Sequence, residues 1–309
     1  DMRTGRNTTV GGLEGNQNIV RTIAEDRRHN IWLGTEKGVV IVRPDLSHES
    51  IYQDFRDRNL INDNAIYSIL CDKSDNMWIG TFFGGVNLFQ RSTTQFRWYE
   101  PGYDAANIKG KAVRMICEPV RGQLWIATED GGLNVLDTRG GQFSMPLPVA
   151  VTGRNIHSLC HDPATGDMWI GTFLNGLFRY NTRTHSLRHY LLSNGLLSDA
   201  VFYLARQRDG TLWVATTHGL YSYDRREDRF RAVCAPWLGD SFMYTLFVDG
   251  GDNLWVGSTR SGLFCIDGRT RKVRHWPMDG KNGLADNYIT ALYATPRLVL
   301  IGTSNNGLQ

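Results

Sequence analysis

The stretch that decides the fold is GDMWIGTFLNGLFRYN, residues 166–181. An apolar run holding Trp169 stops at Gly171-Thr172, passes Asn175-Gly176 and resumes as Leu177-Phe178-Arg179-Tyr180. Two short apolar runs around a glycine-bearing reversal read as a β-hairpin. The pattern returns as NIWLGTEKGVVIV, NMWIGTFFGGVNLF, QLWIATEDGGLNVL, TLWVATTHGLYSY and NLWVGSTRSGLFCI, and in weaker form as LVLIGTSNNGLQ. Its anchors are Trp32, Trp78, Trp125, Trp169, Trp213 and Trp255, with Leu300 in seventh place, spaced by 46, 47, 44, 44, 42 and 45 residues. Periods of this length belong to propeller-type repeats and exceed those of most helical solenoids.

Each unit reads as four short strands. The first is apolar throughout, as in AIYSILCD (65–72), NIHSLCHD (155–162) and FMYTLFVD (242–249). An apolar run without alternation suits a strand covered on both faces, as in a blade packed between two others. A turn rich in Asp, Asn and Gly follows, such as DKSDN or DGGDN; these residues accept tight reversals. Then come the Trp strand, a short loop, a strand opening on Gly-Leu or Gly-Val, and a more polar outer strand such as TQFRWYE or HSLRHYL. No segment holds a sustained helical stripe. The reading is an all-β chain, residues 1–309, forming a single seven-bladed β-propeller of four-stranded antiparallel blades. The seventh unit lacks an outer strand before Gln309, and a segment near residues 6–10 is expected to supply it from the N-terminal end. The glycines ending the Trp strand (Gly34, Gly80, Gly171, Gly257, Gly302) alternate with Ala127 and Ala215, which points to close packing rather than a demand for positive φ.

Composition narrows the function. The net charge is +3 with 21% charged residues, and no basic stripe points to nucleic acid. No run approaches the length of a membrane span, so neither nucleic acid nor membrane contact is expected of this domain. The five cysteines are an odd number with no C-x-x-C pair and read as buried thiols. His157 and His161 lie four apart on a strand, too far for one metal ion, and the Asp-rich turns read as hairpin chemistry rather than calcium sites. No metal and no cofactor is expected. No nucleophile elbow, zinc-binding helix or phosphate-cradling loop is present, so no catalytic residue is assigned.

The unit, roughly V-x-S-I-x-x-D-x-x-G-x-L-W-I-G-T-x-x-G-L-x-x-Y-D, is matched by His157-Ser158-Leu159 through Asp162, by Met168-Trp169-Ile170-Gly171-Thr172 and by Gly176-Leu177-Phe178-Arg179-Tyr180-Asn181. It resembles the two-component regulator propeller repeat, found in periplasmic sensor regions of hybrid two-component histidine kinases of Bacteroidetes. The resemblance implies a periplasmic, ligand-sensing propeller, a piece of a larger sensor. It implies no catalysis by this chain, a role in glycan-responsive gene regulation, and contacts with neighbouring domains and a homodimer partner. The alternatives are a propeller enzyme, a lyase or glycan-active one, working at the channel mouth, and a pure interaction scaffold.

Specificity must lie in positions that vary against the constant repeat. One position early in the inner strand reads Arg21, Tyr67, Arg114, His157, Phe202, Tyr244 and Thr290. These residues are expected around the mouth of the central channel. The loops after the Trp strand add Phe82, Phe83, Phe173, Asn175, His218 and Arg260, and the incoming loops add Arg154 and Tyr288. Aromatics beside polar side chains suit an oligosaccharide, whose rings offer an apolar face and a rim of hydroxyls. Arginine outnumbers lysine 28 to 6, which suits carboxylate or sulfate groups, although many of these arginines lie on outer strands.

Overall fold

The computed structural model describes residues 19–57, 59–90, 95–149, 153, 155–196, 198–233, 238, 241–278, 283–295 and 298–309. Blade 1 shows the plan: Val20–Glu25, Ile31–Thr35, Gly38–Val42 and His48–Ile51 pair antiparallel in chain order. Blade 5 repeats it with Val201–Arg206, Leu212–Thr216, Gly219–Asp224 and Arg229–Ala232. Blade 6 does so with Met243–Val248, Leu254–Ser258, Leu263–Ile266 and Val273–Trp276.

In blades 1, 2 and 6 the turn before the Trp strand is held by a carboxylate. Asp26 Oδ1 accepts the backbone N–H of Arg28 (2.8 Å) and Asn30 (3.0 Å), and its Oδ2 accepts Asn30 Nδ2 and Trp32 Nε1, both at 2.9 Å. Asp72 gathers Ser74, Asn76 and Trp78 in the same way, and Asp249 gathers Gly251, Asn253 and Trp255. A buried indole needs a partner for its N–H, and this carboxylate supplies it while closing the hairpin. Burial pushes the Asp26 carboxyl up, but hydrogen bonds from Trp32, Asn30 and Arg28 outweigh it and hold the group below the ordinary carboxylate range. With four donors on two oxygens, such an aspartate is a structural hub rather than a cation ligand.

The other end of each Trp strand is closed by a hydroxyl. Thr35, Thr81, Thr128, Thr172, Thr216 and Ser258 each donate to the carbonyl of the glycine at the start of the third strand, at 2.8–3.0 Å, and Thr303 donates likewise to Gly307. At Gly176 the backbone has φ 68°, and a Cβ would lie 2.4 Å from the Tyr190 carbonyl oxygen, so only glycine fits there. Gly171 has no such φ; its hypothetical Cβ would meet Val201 Cγ1 of the next blade at 2.6 Å. Close packing fixes that glycine, as the sequence suggested.

The core lies between blades. Trp32 packs with Ile66, Met77 and Ile79 of blade 2, and Trp78 with Val113, Ile116 and Leu124 of blade 3. Trp169 meets Val201, Leu204 and Phe230 of blade 5, and Trp213 meets Met243, Leu246 and Phe264 of blade 6. Burial of one such side chain is worth roughly 1.5–3 kcal/mol.

The count of seven four-stranded blades is corrected: among the described residues there are six. The seventh repeat contributes only the two-stranded sheet Ile289–Ala294 with Val299–Thr303. Beyond it lie a single bridge between Gly302 and Leu308 and a backbone exchange between Ile301 and Gln309. The tryptophan series counts second strands, and a second strand marks a repeat without ensuring that four strands pair. The N-terminal segment expected to complete that sheet lies outside the described residues. By compactness the chain forms two units, divided between His157 and Ser158 inside the inner strand Ile156–Asp162 of blade 4. Blades 1 to 3 belong to the first unit, and blades 5 and 6 with the two-stranded sheet to the second.

Candidate functional site

A backbone irregularity creates the variable positions. In blade 1, Val20 pairs with Thr35 and Thr22 with Gly34, leaving Arg21 as an extra residue against the Trp strand. The same bulge falls on Tyr67, Arg114, Phe202, Tyr244 and Thr290. A bulge releases one residue from the ladder and re-aims its side chain. Six of the seven positions singled out by variation, all but His157, are therefore shown to be bulge residues, which sequence patterning did not reveal. The loop after each Trp strand is tied to the same place. Backbone N–H groups of Glu36, Phe82, Glu129, Thr217, Thr259 and Ser304 donate to the carbonyls of Ile19, Ala65, Ala112, Ala200, Phe242 and Tyr288, the residues just before the inner strands.

In the first unit this brings Arg21, Tyr67, Arg114, His157 and Phe82 together. The Tyr67 ring lies under the guanidinium groups of Arg21 (5.4 Å) and Arg114 (5.7 Å) and stacks on Phe82 with centroids 5.0 Å apart. Arg21 Nε donates to Glu36 Oε1 at 2.8 Å, and Arg114 Nε stands 3.3 Å from Glu129 Oε1. His157 Nε2 is 3.7 Å from the same Glu129 oxygen. Burial, reinforced by the Arg114 charge, pushes the His157 imidazole down to about 3. It is neutral at pH 7, so the cationic partner of Glu129 is Arg114. Two guanidinium groups and two carboxylates leave the cluster without net charge. Phe83, 67% exposed, stands edge-on to Phe82 at 4.4 Å.

In the second unit the bulge residues build a cluster of rings. Phe202 meets Phe242 at 4.4 Å, Tyr244 at 5.8 Å and Phe173 at 5.9 Å, and Tyr244 meets Tyr288 at 5.5 Å. Phe242 was missed in the sequence. Aligning the residue before each inner strand exposes it, because Ala65, Ala112 and Ala200 occupy the corresponding positions in blades 2, 3 and 5. Other expected residues stand apart. Asn175 offers its carbonyl to His189 Nε2 at 2.8 Å, His218 contacts the Thr217 hydroxyl at 3.0 Å, and Arg260 is exposed. Arg154 lies outside the described residues. The loop carboxylates are already engaged: Asp63 accepts the N–H of Phe83, Asp130 that of Lys111, and Asp286 that of Asn305.

Nucleophilic chemistry finds little here. Burial pushes the thiols of Cys71 and Cys160 up to about 12 and that of Cys265 to about 11, far from the thiolate form a nucleophile requires. Among the described residues no disulfide forms, and no group of three His, Cys, Asp or Glu side chains could hold a metal ion.

Similarity to known proteins bears on the whole chain. Histidine kinase P4 of Formosa agariphila is 22% identical over 245 residues, 74% of this chain but 17% of that protein. The extracellular domain of a Bacteroides thetaiotaomicron protein assigned as a hybrid two-component system superposes with TM-score 0.85 at 18% identity, over 98% of this chain and 41% of that one. Virginiamycin B lyase from Staphylococcus aureus superposes with TM-score 0.72 at 10% identity, over 96% and 95% of the two chains. These likenesses establish a β-propeller fold, and the chain spans well under half the length of the two signalling relatives. Residues 13–37 and 60–83 match the two-component regulator propeller family. Over those two stretches, in repeats 1 and 2, the chain is similar to the two-component regulator propeller repeat.

Proposed function

We propose that this chain is a ligand-reading propeller from the periplasmic sensing region of a hybrid two-component histidine kinase, without catalysis of its own. The observation that carries the reading is the set of bulges. Each places one non-repeated side chain beside a loop, while hydroxyl and glycine closures hold the loop still. Such a scaffold changes its specificity without changing its blades. The first-unit cluster, with arginines paired to Glu36 and Glu129, favours a neutral ligand, because a charged one would compete with existing ion pairs. Aromatic faces at Tyr67 and Phe82 with a polar surround suit the rings of a neutral oligosaccharide, and glycan-responsive regulation follows from that chemistry. Neighbouring domains of the same sensor and a second copy of the chain are the expected protein partners.

The test is a screen of neutral oligosaccharides by glycan array, followed by calorimetry on the hits and light scattering for the oligomeric state. A binding oligosaccharide should lose about tenfold or more in affinity, ~1.4 kcal/mol, in Tyr67→Ala. A strictly monomeric protein that binds nothing on the array overturns the reading, as does turnover of a ligand that disappears in His157→Gln.

A further inference from the structure

We propose that the cleft between blades 5 and 6, independent of the sensor reading, binds a small organic anion with an apolar body, of the aryl carboxylate class. Three departures from the repeat make it. The first is at the residue paired beside each tryptophan: Ile41 beside Trp32, Leu88 beside Trp78, Val135 beside Trp125, Arg179 beside Trp169 and Cys265 beside Trp255, but the small, polar Ser222 beside Trp213. The second is on the facing blade. Phe89 closes on Trp32 at 5.4 Å and Tyr223 on Trp169 at 4.8 Å, whereas the residue of blade 6 in the register of Phe89 is Ile266. The cleft beside Trp32, lined by Ile41 and Phe89, holds about 250 Å³; the one beside Trp213 holds about 780 Å³. That size lies within the range of small-molecule sites.

The third departure is electrostatic. Gln207 stands where other repeats carry Asp26, Asp72 or Asp249. It accepts from Trp213 Nε1 at 2.8 Å as they do, but it brings no negative charge. Arg271 donates to the same Gln207 oxygen and to Asp209 Oδ2 (2.8 Å), with its guanidinium 5.7 Å over the Trp213 ring. Four guanidinium groups, of Arg225, Arg226, Arg231 and Arg271, line the cleft together with the carboxylates of Asp209 and Asp224. Arg231 is committed to Asp224 at 3.1 Å and to Glu227 at 2.7 Å. Arg225 stands 3.7 Å from Asp162, and among the described residues Arg226 has no carboxylate within ion-pair distance. Arginine receives a carboxylate bidentately, so the adjacent Arg225 and Arg226 provide the anion seat. Ile266, Val273 and Val233 provide an apolar wall for the body of the ligand.

Calorimetry with naphthalene-2,6-dicarboxylate, and with naphthalene-2,6-dimethanol as its uncharged counterpart, tests this. The dicarboxylate should bind about tenfold or more tightly than the diol, and the difference should shrink at high salt as the guanidinium groups are screened. Ser222→Leu, which restores the side-chain volume found in other blades, should abolish binding. Arg226→Glu, in an exposed turn where folding is not at stake, should weaken it about tenfold or more. Equal binding of the diol, unchanged affinity in Arg226→Glu, or no binding of the dicarboxylate at millimolar concentration overturns the proposal. If Ser222→Leu proves unfolded in a thermal melt, the Arg226→Glu result and the diol comparison decide.

Discussion

At the aspartate end of blades 1, 2 and 6 the same four donors converge on one carboxylate, and a buried indole is always among them. At the other end a hydroxyl and a glycine are equally constant, yet the side chain beside them is an arginine in one blade, a tyrosine in the next and a phenylalanine further on. The first end closes a hairpin and wedges two blades apart, so a change there alters the packing of both. The second end also closes a hairpin, but its bulge releases one side chain from the ladder, so that side chain can change while the hydrogen bonds remain. Stability should therefore be concentrated at the aspartate end, and freedom to vary at the bulge.

The strongest way to break this contrast is to remove an indole. Trp78 is 2% exposed, packs with Val113, Ile116 and Leu124, and donates to Asp72 Oδ2 at 2.9 Å. Trp78→Ala leaves a cavity between two blades and strips one donor from the hub, so it should cost about 3–5 kcal/mol in urea denaturation monitored by circular dichroism. A loss below about 1 kcal/mol would mean that the blades are not held by their tryptophan wedges.

An acid titration separates the two ends on another axis. At the bulge end, burial and Arg114 hold His157 down to about 3 from an ordinary 6.5. The unfolded chain then takes up that proton first. The contribution of the neutral, buried imidazole is full above pH 6.5 and falls as pH drops from about 6.5 towards 3, at about 1.4 kcal/mol per pH unit. At the aspartate end the sign is that of a lowered carboxyl: the Asp26 contribution is present above the ordinary value of 3.8 and is lost only as pH falls below it. Between pH 6.5 and 4 the wild type should thus lose about 3 kcal/mol more than His157→Gln, read from denaturation midpoints across that range. Parallel curves for the two proteins would place His157 in contact with solvent.

Which of these features could be read in advance depends on how local their causes are. Trp169, Thr172 and Gly176 were legible because a hairpin needs them at fixed spacing, and the closing hydroxyl bonds span only four residues. Close packing at Gly171 was legible because alanine replaces the equivalent glycine in two repeats. The bulges were not, because an inner strand apolar on both faces gives no alternation from which a slipped register could be detected. The candidate column was found by its variation alone, and its geometric cause came only with the pairing of Val20 to Thr35 and Thr22 to Gly34. The seventh blade was overcounted for a related reason: Leu300 sits in a genuine second strand, but pairing beyond it is a property of the sheet. Ser222 drew no notice because one serine in a strand means little until its counterparts Ile41 and Arg179 are aligned beside their own tryptophans.

The smallest effect is expected at Tyr67, and it sharpens the contrast most. Its ring lies between two guanidinium groups at 5.4 and 5.7 Å and on Phe82 at 5.0 Å, contacts worth about 0.5–1 kcal/mol each where water reaches them. Tyr67→Leu removes the ring but leaves the Arg21–Glu36 and Arg114–Glu129 pairs in place, and leucine keeps most of the apolar contact with Phe82. The substitution should therefore shift stability by about 1–2 kcal/mol, a fraction of the Trp78→Ala loss, although both side chains are large aromatics in the same blade. Parallel urea denaturation of the two variants makes the comparison. A Tyr67→Leu loss approaching that of Trp78→Ala would make Tyr67 part of the wedge and remove it from the residues free to choose a ligand.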